Sequence, residues 1–150
     1  MTAPPYRLHA SLGYKLSLAA RLQERRLEAD LKELGMTRTT WCVLLAVAVE
    51  GLSKPSEIAT FIGIDRTATS RALRHMEEED LIARSGRSDD KRFRTVKITE
   101  KGQALLDQGS PKARANNAAM SAKLSEAEEV QLMKALNALI RGEPAGLSRF

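Results

Sequence analysis

Few side chains in this sequence have the type or spacing for covalent chemistry. There is one cysteine, Cys42, and there are two histidines, His9 and His75. That set is too small for a multi-cysteine or histidine-ligated metal site. No GxGxxG, GxxxxGK[ST], GxSxG or HExxH pattern occurs, so phosphate-loop, nucleophile-elbow and zincin chemistry have no carrier. His75 stands beside Arg74 and reads as a surface residue or phosphate neighbour, not a base. No catalytic residue, metal or cofactor is expected. The residues that are arranged are cations and short polar groups. Arg66, Thr67, Thr69, Ser70 and Arg74 fall within nine positions, and Arg84, Arg87, Lys91, Arg92, Arg94 and Lys97 follow, opposed in that second stretch only by Asp89 and Asp90. Such groups on a helix can enter a DNA major groove, which is about 12 Å wide and admits an α-helix.

These groups need elements to hold them. Pro55 suits the first turn of a helix, because its missing amide hydrogen is not needed there. The pattern predicts a short helix ending at Ile62, stopped by Gly63. Asp65 then caps a second helix from Arg66 to about Glu79. Ala59 is small where the two must approach, and Ala68, Ala72, Leu73 and Met76 form the inward face. Leu81–Arg84 and Thr95–Ile98 read as two strands of a hairpin. The polar stretch 85–94 between them is its loop. A helix pair followed by a basic hairpin is a winged helix-turn-helix. The hairpin tip can lay arginines on phosphates or insert one into the minor groove. Asp90 can accept hydrogen bonds from Arg92 and hold its fork in one orientation. Arg87, Asp90, Lys91, Arg92 and Arg94 therefore join the DNA-contact set.

The rest of the chain reads as helix. Leucines at 8, 12, 16, 27, 31 and 34 recur at helical spacing, which predicts one long helix over 6–34 capped by Gly35. Thr37 caps an apolar helix holding Trp41, Val43, Leu44, Leu45 and Val47, with Gly51 at its end. Thr99 caps a helix running toward Lys123, which Pro111 should kink or split. Ser125 with Glu128 makes a capping box for a last helix, and the tail from Gly142 is expected to fray.

The sequence resembles the MarR family of winged helix-turn-helix transcriptional regulators. The resemblance lies in Ile64–Leu73 with Met76–Arg84, in Asp90-Lys91-Arg92, and in Val96–Gly102. The family pattern there is Asp-x-Arg, then apolar-Thr-x-x-Gly. Trp41–Leu45 resembles the apolar helix that opens the DNA-binding lobe of such proteins. Asp80 departs from the glycine usual before the strand. The resemblance covers about residues 6–141. It implies a mainly α fold with a small β-hairpin: one domain, with a winged lobe over 37–99 and a helical dimerisation lobe from 6–34 and 100–141. It also implies a homodimer on a palindromic operator in double-stranded DNA, released by a small aromatic carboxylate or its acyl-CoA thioester. His9, Tyr14, Arg38 and Trp41 are the expected ligand-binding residues, because a cation beside aromatics suits a carboxylate on a flat ring.

Composition fits this reading and leaves rivals. The 150 residues carry 24 basic and 19 acidic side chains, a net charge of +5, and the isoelectric point is about 9.6. Aromatics are 4%, with leucine and alanine leading the apolar set, which points to helix packing rather than a β-sandwich. The longest apolar run, Trp41–Val49, is nine residues, too short to span a bilayer. The first residues lack a signal peptide's apolar core. A cytoplasmic protein with no membrane partner is expected. Two alternatives stay open. One is a redox-sensing regulator using Cys42, whose other reading is a small buried apolar residue. The other is a helical interaction protein that binds no DNA.

Overall fold

The computed structural model describes residues 3–86 and 94–143. A single 3-10 turn, Leu8–Ala10, precedes α1, Leu12–Glu33. Then come α2, Arg38–Ala48, α3, Pro55–Ile62, and α4, Arg66–Glu78. The hairpin strands are β1, Ile82–Ser85, and β2, Thr95–Ile98; α5, Glu100–Ser121, and α6, Glu126–Ile140, complete the order. The class is as expected: mainly α with a two-stranded antiparallel hairpin.

Caps set most of the boundaries. Thr37, Asp65, Thr99 and Ser125 each accept a backbone amide of the following turn. Ser125 and Glu128 form both halves of the capping box. One boundary differs. The first helix does not begin at Tyr6, because the Ser11 side chain accepts the Tyr14 amide and starts the helix at Leu12. The leucine spacing runs straight through this break, so periodicity alone misses it. The first strand also lies one residue later than expected. Leu81 is used to close α4, donating its amide to the Met76 carbonyl at 2.9 Å. That closure puts Asp80 at φ 58, the left-handed position a glycine usually fills.

Pro111 does not split α5, which runs unbroken from Glu100 to Ser121. Pro111 and Asp107 are both exposed, so water can satisfy the Asp107 carbonyl that the proline leaves without a donor.

A single apolar core lies beneath the helix pair and hairpin. Leu31, Met36, Trp41, Val43, Leu44, Ile58, Leu73, Met76, Ile82, Val96 and Leu106 belong to it. β1 and β2 pair in the register Ile82↔Ile98, Arg84↔Val96, so Ile82, Val96 and Ile98 share the face turned to the helices. The hairpin root is tied down twice. The Val96 amide donates to the Ser53 carbonyl at 2.8 Å. Thr99 Oγ1 donates to the Asp80 carbonyl at 2.6 Å. Gly102 follows because a Cβ there would collide with the Leu81 carbonyl oxygen.

The outer helices have no such core. Leu31 is the only buried residue of α1, and α6 has none. α1 lies along α5, where Asn116 Nδ2 donates to the Gln23 backbone carbonyl at 3.3 Å and Lys112 pairs with Glu33 at 3.0 Å.

Candidate nucleic-acid interface

The turn Gly63-Ile64-Asp65 joins α3 to α4. Gly63 adopts φ 79, a conformation that L side chains rarely take. Asp65 Oδ1 accepts the Ala68 amide at 2.8 Å and fixes where α4 begins. From that start the helical period sends Leu73 and Met76 into the core and leaves Arg66, Thr67, Ser70 and Arg74 exposed. Those four residues share the outward surface, as the spacing predicted.

Thr69 does not join them, and this corrects its assignment as a groove residue. It is 1% exposed, and its hydroxyl donates to the Asp65 carbonyl at 2.9 Å. Thr69 lies four residues before Leu73 and so on the buried stripe. Its polar side chain is satisfied within its own helix.

Beside α4 opens a cleft of about 630 Å³, walled by α3 and by the root of the hairpin. Arg66, Ser70 and Arg74 line it from α4, Arg84 and Arg94 from the hairpin side, and Lys54 and Ser56 from the start of α3. Arg94 is therefore brought to the α4 residues it was grouped with. Lys54, Ser56 and Arg84 were missed. Lys54 directly precedes Pro55, and Arg84 stands in the basic run, so both carried a visible signal of charge. Arg87, Asp90, Lys91 and Arg92 lie outside the described residues, as does 144–150 of the tail.

Arg84, one of the lining residues, is held by a carboxylate that does not itself line the cleft. Glu77 Oε2, on the last turn of α4, accepts Arg84 Nε at 2.8 Å and a terminal guanidinium nitrogen at 2.5 Å. The hydrogen bonds from Arg84 hold the Glu77 carboxyl below its ordinary range, and the charge of Arg94 adds to the effect. Lys54 pairs loosely with Glu57 at 3.6 Å, and both side chains are well exposed.

The four expected ligand residues do not meet in one protomer. His9 and Tyr14 stack on each other, centroids 4.6 Å apart and planes 7° from parallel. Arg38 instead pairs with Glu24 at 2.8 Å. Tyr14 and Glu24 are ten residues apart on α1, about 15 Å along its axis. Trp41 is buried and packs against Gly109, where a Cβ would come within 2.7 Å of its ring. Cys42 is partly buried. Burial pushes its thiol up, and Arg38 one turn earlier only partly offsets this.

Among the described residues, no group of three or more His, Cys, Asp or Glu side chains is arranged to hold a metal. No helix among them is long and apolar enough to cross a membrane.

The helix pair, hairpin and long flanking helices define a winged helix-turn-helix architecture. The model of the MarR family matches residues 34–92, which span α2 to the hairpin. Solved structures extend the likeness beyond that lobe. BpsR of Bordetella bronchiseptica, whose DNA binding is regulated by 6-hydroxynicotinic acid, is 21% identical over 93% of this chain and 100% of its own, with a TM-score of 0.82. A probable transcriptional regulator of Pseudomonas aeruginosa is 26% identical over 89% of this chain and 100% of its own, at 0.77. A mutant MarR of E. coli, solved with operator DNA, is 22% identical over 86% of this chain and 93% of its own, at 0.76. Residues 34–92 are thus similar to the MarR family, and the chain has the fold of these solved regulators.

Proposed function

We propose that this chain regulates transcription by binding a palindromic operator as a homodimer, with α4 in the major groove and the hairpin over the adjoining minor groove. The observation that carries the reading is the exposed face of α4. Arg66, Thr67, Ser70 and Arg74 all point away from the core, beside a cleft whose charged lining is wholly basic. MarR of E. coli, with the same fold, was solved on operator DNA. On this reading the hairpin residues Arg87, Lys91 and Arg92 contact the DNA, with Asp90 orienting Arg92.

The second copy is supported by what α6 exposes. Val130, Leu132, Met133, Leu139 and Ile140 are large, apolar and exposed among the described residues of one chain. Tyr6, Leu8 and Leu12, at the start of the chain, are exposed in the same way. Residues 6–34 and 100–141 then serve as the dimerisation lobe, with 37–99 as the DNA-binding lobe. A two-fold dimer requires a two-fold site with its half-sites about one helical turn, roughly 34–36 Å, apart.

Release by a small aromatic carboxylate, or its acyl-CoA thioester, completes the proposal. BpsR shares the fold and is regulated by such an acid. Arg38 on the first turn of α2 is the cation for it, and the helix N-terminus adds a partial positive charge. The acid must displace Glu24 from Arg38, so binding exchanges one carboxylate for another. Trp41 acts as packing behind Arg38, and His9 with Tyr14 forms a separate aromatic patch. The raised thiol pKa of Cys42 speaks against the redox alternative, because the thiolate is the reactive form. A thermal-shift screen of aromatic acids and thioesters, followed by gel-shift with each hit, tests the ligand. Compounds that stabilise the protein and release DNA are expected. Stabilisation without release would remove the effector role.

A further inference from the structure

Glu77 is out of place by simple charge counting. It continues the outward stripe of α4 one turn past Arg74, on the surface that is to meet a polyanion. A bare carboxylate there should repel phosphates. Opposite it, the hairpin breaks its own pattern. The face that carries Ile82, Val96 and Ile98 into the core also carries Arg84, directly across from Val96. Alternation puts Arg94, two residues before Val96, on that same face. Both arginines stand where the apolar core ends and the cleft begins. The Arg84 side chain is only 16% exposed, and two of its nitrogens are committed to one Glu77 oxygen. The helix and the hairpin are thereby braced against each other beside the cleft.

The geometry of DNA says what crosses that cleft. Adjacent major and minor grooves are separated by one sugar–phosphate strand. A helix in one groove and a hairpin in the next must straddle it. Resting on the DNA-binding reading above, we infer that Arg84 and Arg94 are phosphate-binding residues for that strand, and that Glu77 is the positioning residue that holds Arg84 toward it and fixes the spacing between α4 and the hairpin.

The test uses the full-length protein and one probe, a duplex of about 30 base pairs enriched from a random library by the wild-type chain. Binding is followed against salt concentration. Arg84→Gln should weaken binding about tenfold on selected and scrambled duplexes alike and lower the salt slope by about 1, the loss of one phosphate contact. Glu77→Gln is the sharper variant. Removing a negative charge from a DNA face should tighten binding if charge is all that matters. Loss of positioning should instead weaken it about three- to tenfold, and the double variant should be no worse than Arg84→Gln alone. Arg84→Lys keeps the charge without the fork; it should keep the salt slope and lose affinity. Wild-type or tighter binding by Glu77→Gln, or an unchanged slope in Arg84→Gln, overturns the inference while the DNA-binding reading stands. Failure of the wild-type chain to enrich any duplex overturns both.

Discussion

The winged lobe and α6 both present amphipathic helices, yet they are built on opposite terms. In the winged lobe, α2, α3, α4 and the hairpin converge on a core that includes Leu44, Ile58, Leu73 and Val96, all buried. In α6, Val130 is 65% exposed and Ile140 66%, and no residue is buried. The first region is completed by its own chain. The second has an apolar face in search of a cover, and most helical stability in proteins comes from packing such a face. The proposed function therefore gives DNA contact and assembly to separate parts of one chain.

The largest expected effect attacks the self-sufficient region. Leu44→Ala empties a fully buried site and should cost about 2–5 kcal/mol, read as a lower denaturation midpoint at every protein concentration. A loss confined to dilute protein would mean that the winged lobe, too, depends on a partner. The second attacks the other region. Val130→Asp with Met133→Asp places two charges on the open face of α6, where Met133 is 54% exposed. Sedimentation at micromolar concentration should then show a 16.5 kDa monomer, with loss of about 3 kcal/mol or more of association energy. A surviving dimer would move the interface off α6.

These two regions were not equally legible in the sequence. Local chemistry was easy to read. Thr37, Asp65, Thr99 and Ser125 cap helices where their side chains and spacing said they would, because a cap is decided within four residues. Misses arose where two local signals competed or a partner lay far along the chain. The Ser11 cap overrode a leucine period that ran past it. Thr69 looks polar and groove-ready, but the phase of α4 that buries Leu73 buries it as well. Glu24 captures Arg38 across the α1–α2 turn, fourteen residues away. Glu77 takes Arg84 across the turn into the hairpin, and because α4 ends at Glu78 and β1 begins at Ile82 no single period runs through both positions. The two lobes differ in the same sense, since nothing in a single chain spells out the cover for α6.

The smallest expected effect sharpens the account of the winged lobe. Asp80 holds φ 58, a left-handed conformation costing an ordinary residue about 1–2 kcal/mol. Glycine removes that strain and returns part of the gain as unfolded-state entropy. Asp80→Gly should therefore stabilise the protein by about 0.5–1 kcal/mol, a rise of roughly 2–4 °C in Tm. A fall in Tm would show that the Asp80 side chain contributes more than its backbone costs.

Selection of duplexes from a random library by the purified full-length protein tests the central claim most directly, because it questions both regions at once. The winged lobe sets which bases are enriched, and the pairing of two chains sets the symmetry. The account predicts a pseudo-palindrome whose half-sites are centred about one helical turn, roughly 10–10.5 base pairs, apart. Enrichment of a sequence without two-fold symmetry, or no enrichment, would contradict it.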